Sequence, residues 1–131
     1  PASDEDKQRA AADFLAAQEA LKRGDLARAE RLARQAAEYD PDAEDHAALI
    51  AWIRASSPRP NALGESIAAL TNLLRRHPRC ELALLYRSKL FRRAGKVDPA
   101  LSDLEQLLAI NPDHREAQGE ARLLRAKQRS R

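Results

Sequence analysis

Apolar side chains recur along this chain every three or four residues, and glycine or proline breaks the rhythm at regular intervals. Ala10, Phe14, Ala17 and Leu21 share one face of a first helix. Ser3-Asp4-Glu5-Asp6 starts that helix, with a Ser-x-x-Asp cap and negative charge at the positive end of the helix dipole. Gly24 stops it, because glycine takes the left-handed cap most readily. From Asp25 a second helix buries Leu26, Ala29, Leu32, Ala33 and Ala36 and ends at Asp40-Pro41. A third, about 42–56, carries Ala47, Ile50, Ala51 and Trp52. The run Ser56-Ser57-Pro58-Arg59-Pro60-Asn61 closes it, since proline removes a helical N–H and clashes with the preceding turn.

Four more helices follow. Helix four, about 62–76, carries Leu63, Ile67, Leu70 and Leu74, and helix five, about 80–94, stops at Gly95. Helix six opens with Asp98 as cap and Pro99 in its first turn, and carries Ala100, Leu101, Leu104, Leu107 and Leu108. Helix seven, about 114–128, has Ala117, Ala121 and Leu124 on one side and charge elsewhere, which is how a terminal cap divides between docking and solvation. The predicted fold is all-α: an α-α superhelix of about seven antiparallel helices.

The chain also repeats itself. Gly24 and Gly95, Ala29 and Ala100, and the turns Asp40-Pro41-Asp42 and Asn111-Pro112-Asp113 all stand 71 residues apart. His77-Pro78 ends a copy between them, 37 residues after Pro41 and 34 before Pro112. Helix pairs of this period, with small residues where the helices cross, resemble tetratricopeptide repeats. The crossing positions hold Ala17, Ala20, Ala29 and Ala36 in the first copy. They hold Ala51, Arg54, Ser66 and Leu73 in the second, and Ser88, Phe91, Ala100 and Leu107 in the third. The resemblance covers about residues 10–114 as repeats of about 10–43, 44–80 and 81–114 with a capping helix of about 114–128, in one domain spanning 1–131. The chain departs from the family in lacking the first-helix Trp and Tyr at their usual places and in about three extra residues at the Pro58–Asn61 turn. It is also similar to helical-repeat regions that stand behind J domains or receiver domains in GC-rich deltaproteobacterial proteins, which implies a chaperone-associated or signalling setting.

Composition sharpens this picture. The 131 residues suit one domain, and 27 Ala, 19 Leu and 18 Arg stand against 1 Val, 4 Ile and 1 Thr, too few extended-chain formers for a sheet. Charged residues make up 33%, mean hydropathy is −0.63, and no apolar run suits a membrane. The net charge of +3, from 23 bases and 20 acids read as mixed along the chain, argues against nucleic acid as a partner. A single cysteine forms no internal disulfide, and no secretion signal opens the chain; both fit a cytoplasmic protein. Pro1 and the absence of Met fit a segment of a longer bacterial chain.

The resemblance implies a noncatalytic module that binds a peptide or helix in a concave groove lined by the first helix of each pair, as an adaptor or scaffold. The groove residues are then Phe14, Gln18, Leu21 and Lys22; Asp45, Ala48, Leu49 and Trp52; and Leu82, Leu85, Tyr86, Lys89 and Arg92. Family members that hold a chaperone's C-terminal carboxylate use Lys and Asn, Asn, then Lys and Arg. The matching positions here are Phe14 and Gln18, Leu49, and Leu82 and Tyr86, so that clamp is absent. Trp52 reads either as an anchor for the ligand or as filling for an alanine-rich core. A basic rim of Lys89, Arg92 and Arg93 favours a ligand with an apolar residue and negative charge. The alternative expectation is self-association into a homodimer, and the third is weak nucleic-acid or anionic-surface binding through Arg122, Arg125, Lys127, Arg129 and Arg131. His77-Pro78-Arg79-Cys80 is a poor frame for a thiolate–imidazole pair, and His46, His77 and His114 follow the repeat rather than a ligand motif. No enzymatic activity, metal or cofactor is expected.

Overall fold

The computed structural model describes residues 1–130. Seven helices follow one another: α1 (Asp4–Lys22), α2 (Leu26–Tyr39), α3 (Glu44–Arg54), α4 (Ala62–Arg76), α5 (Glu81–Arg93), α6 (Val97–Ile110) and α7 (Arg115–Arg129). Their ends are set by local chemistry. The Asp6 N–H donates to Ser3 Oγ at 3.0 Å and the Ser3 N–H donates back to the Asp6 carboxylate at 3.4 Å, a reciprocal cap. Gly24 and Gly95 sit at φ +81° and +76°, and the Asp25 and Lys96 N–H groups reach back to the Ala20 and Phe91 carbonyls. Asp25 caps α2 through the Arg28 N–H, and His114 Nδ1 caps α7 through the Ala117 N–H at 3.1 Å.

Helix six corrects the expected cap. It begins at Val97 after Lys96, so Asp98 is already helical and its carboxylate accepts from Gln128 Nε2 at 2.7 Å. Pro99 stays in the first turn, where its missing N–H has no intrahelical partner to lose.

α1 and α2, α3 and α4, and α5 and α6 form successive antiparallel hairpins, α3 also lies against α5, and α7 docks on α6. Alanine makes the first pair close: Ala10, Ala17 and Ala20 on α1 and Ala29, Ala33 and Ala36 on α2 are all buried. Further along, Leu70, Leu84, Leu90, Leu104 and Leu107 fill the layers, and Ala117, Ala121 and Leu124 seat the last helix. α3 lies among helices on several sides and buries His46, Ala48, Leu49, Ala51 and Ile53, more than one stripe; Ala47, expected inward, is exposed.

A polar pin ties three helices together. Arg87 on α5 forks onto the buried Asp103 of α6 at 2.6 and 2.9 Å and donates to Thr71 of α4 at 3.2 Å. Burial raises the Asp103 carboxyl above its usual range, while the Arg87 hydrogen bonds pull the other way. Among the described residues, no helix is long and apolar enough to cross a membrane.

Candidate functional site

The first helices α1, α3 and α5 share one face, and the residues expected to line it meet different fates. Gln18, Trp52 and Tyr86 come together as a seam. The Trp52 and Tyr86 rings stack at 4.8 Å and 7°, the Arg93 guanidinium lies 4.5 Å from the Trp52 ring, and Gln18 is within hydrogen-bonding reach of the Tyr86 hydroxyl. Tyr86 is only 8% exposed, and burial pushes its hydroxyl up to about 12. Phe14, Leu21 and Leu82 pack half-buried against the core.

Leu49, at 0% exposure, and Leu85, at 6%, lie in the core and line no groove; Ala48 is likewise buried. Adjacent first helices lean on one another and consume these positions. The basic rim also needs correction. Lys89 Nζ pairs with Glu116 at 2.6 Å and Glu120 at 3.8 Å, and Arg92 pairs with Glu120 at 3.1 Å. The capping helix lays its acids on Lys89 and Arg92, so their charge is paired, while Arg93 lies over the Trp52 ring and keeps its charge beside Lys127.

An open cleft of about 460 Å³ lies instead between α1 and the start of α3. Ala11, Phe14 and Leu15 form one wall, and Ala43, Glu44, Asp45 and His46 the other. The Phe14 and His46 rings meet at 5.5 Å, and His46 Nδ1 lies 3.2 Å from the Asp40 carbonyl, which it bonds as a donor. Leu15 stands 63% exposed at the mouth. Of these residues, Phe14 and Asp45 are among those expected in the groove from sequence. Leu15 carries its own sequence signal: a large apolar residue off the Ala10–Phe14–Ala17–Leu21 stripe has no core to enter.

A second cleft, between α3 and α4, is bounded by charges already paired: Arg59 with Glu65 at 2.7 Å, and Arg54 with Glu30 at 3.2 Å. The buried Cys80 thiol donates to Asp45 at 3.5 Å, and burial raises it to about 11, which makes it a poor nucleophile at neutral pH. Among the described residues no group of three His, Cys, Asp or Glu is placed to hold a metal ion. In the basic tail Arg125 approaches Glu105 at 3.8 Å, Arg122 and Arg129 are exposed, and Arg131 lies outside the described residues.

Three helical hairpins stacked with a capping helix define the tetratricopeptide-repeat fold, and solved structures share it. The chain aligns with the first TPR of Spaghetti (RPAP3) bound to the HSP90 peptide SRMEEVD at a TM-score of 0.73 and 17% identity, covering 93% of this chain and 97% of that one. It aligns equally with the first TPR domain of human RPAP3, at 0.73 and 17%, over 95% of each chain. A tetratricopeptide repeat protein from Parabacteroides merdae matches at 0.63 and 25% identity, over 93% of this chain and 48% of that one. No family model matches the sequence, and no curated protein matches it.

Proposed function

We propose that the chain is a noncatalytic protein-interaction module that takes a peptide or helix into the α1–α3 cleft, as an adaptor or scaffold segment of a larger, cytoplasmic bacterial protein. The carrying observation is the cleft itself: apolar walls from Phe14, Ala11 and Leu15, open to solvent, with Glu44 and Asp45 at its edge. A fold neighbour was solved with a peptide bound, which supports the class of function. The positions matching the carboxylate clamp hold Phe14, Gln18, Leu49, Leu82 and Tyr86, so the ligand is of another kind.

The charge preference reverses the one read from sequence. With Lys89 and Arg92 paired to α7 and two carboxylates at the cleft, the ligand carries an apolar side chain next to lysine or arginine. A displayed random-peptide library selected on the chain tests this. Leu, Ile or Phe flanked by Lys or Arg should be enriched, and Leu15→Lys should weaken the selected peptides at least ~10-fold. Enrichment of acidic peptides, or indifference to Leu15→Lys, would sink the reading.

A further inference from the structure

The charges are segregated rather than mixed. Residues 1–48 hold twelve acids against seven bases, while residues 49–131 hold sixteen bases against eight acids. Exposed large apolar side chains among the described residues are Leu15, at 63%, and Leu123, at 54%, one at each end of the solenoid. Leu15 belongs to the cleft edged by Glu44 and Asp45. Leu123 lies on the α7 face away from the docked Ala117, Ala121 and Leu124. Gly119 and Ala126 adjoin it at helical spacing, and the exposed Arg115, Arg122 and Arg129 run beside it at seven-residue steps. One end is thus an apolar slot with an acidic edge, and the other an apolar ridge with arginines along one edge and Glu116 and Glu120, paired to Lys89 and Arg92, along the other.

We propose that the α1–α3 cleft of one copy receives the exposed face of α7 from a second copy, in a head-to-tail contact. Leu123 enters between Phe14 and Leu15, the small Gly119 and Ala126 let the helix approach closely, and the arginine row faces Glu44 and Asp45. This rests on the cleft being the binding site. The two surfaces differ, so the contact is heterologous and each copy keeps a free slot or a free ridge unless the arrangement closes. The complementary charges give steering that salt weakens.

Sedimentation velocity of the 131-residue chain from about 10 μM to about 1 mM tests the contact. Association should rise with concentration, weaken when salt goes from about 0.05 to about 0.5 M, and fall at least ~10-fold in Leu15→Lys and in Leu123→Glu. Both positions are exposed, and circular dichroism verifies that each variant is folded. Mixing the two variants should then restore a dimer, because one carries an intact ridge and the other an intact slot. Variants that lose association alone and fail to recover it when mixed would show that residues 15 and 123 do not meet, and would overturn the proposal. A wild-type chain that stays monomeric throughout overturns it too. If such a monomer still binds selected basic peptides through Leu15, the module reading stands and only the self-contact falls.

Discussion

At Cys80 and Tyr86 a proton is hard to remove, because each group is buried where the anion would lose its water. Burial pushes the Cys80 thiol up from 9.0 to about 11 and the Tyr86 hydroxyl up from 10.0 to about 12. The folded chain therefore holds more protons than the unfolded one between these values, and stability falls as pH rises from about 9 to 12. Urea midpoints at rising pH should show that decline, and Cys80→Ala should flatten its first part; a wild-type profile flat across the window would contradict the assignment. Asp13 presents a different imbalance. One of its carboxylate oxygens is buried with no hydrogen-bond partner, in the interior of α1. Asp13→Ala removes that cost and adds a better helix former, so thermal melting should show a gain of about 1 kcal/mol.

At the scale of elements, the joints differ in what holds them. The α1–α2 pair closes on alanine against alanine, where added volume has nowhere to go. Ala29→Leu should cost about 3 kcal/mol or more in a urea titration, because overpacking there separates the helices. The α4–α5–α6 joint depends on the fork from Arg87 to Asp103. Arg87→Met leaves a buried carboxylate without its cation, a loss of about 3 to 5 kcal/mol at neutral pH. The sign with pH follows from Asp103: its folded-state pKa already lies above the ordinary range and rises further without Arg87. Protonation then favours the folded chain, so the variant should be less destabilised near pH 4 than near pH 7. Adding Asp103→Leu should recover most of the loss, and a double variant as unstable as Arg87→Met would refute the charge argument.

Across the whole molecule, the capping helix does more than close the last layer. Glu116 and Glu120 settle on Lys89 and Arg92 and so neutralise part of the first-helix face. Replacing both acids with glutamine should release that positive charge. An acidic peptide that ignores the native chain should then gain affinity, in a salt-sensitive way, by about 10-fold in a fluorescence titration.

The helices and most of their caps were legible because each depends on residues within about four positions: Ser3 with Asp6, Gly24 after Leu21, Asp25 before Arg28. Periodicity likewise marked the core alanines and the docking side of α7. The candidate site was only partly legible. Gln18, Trp52 and Tyr86, expected to face a ligand, meet each other and form a seam between first helices. Leu49 and Leu85 lie in the core and not in the groove, which a single helix cannot reveal because it does not show which of its sides a neighbouring repeat will cover. The sequence by itself therefore determined the seven helices and most of their ends, since capping and periodicity are local. Tertiary structure alone decided which surface stays open, because burial of Leu49, neutralisation of Lys89 and exposure of Leu15 depend on helices brought together from distant parts of the chain.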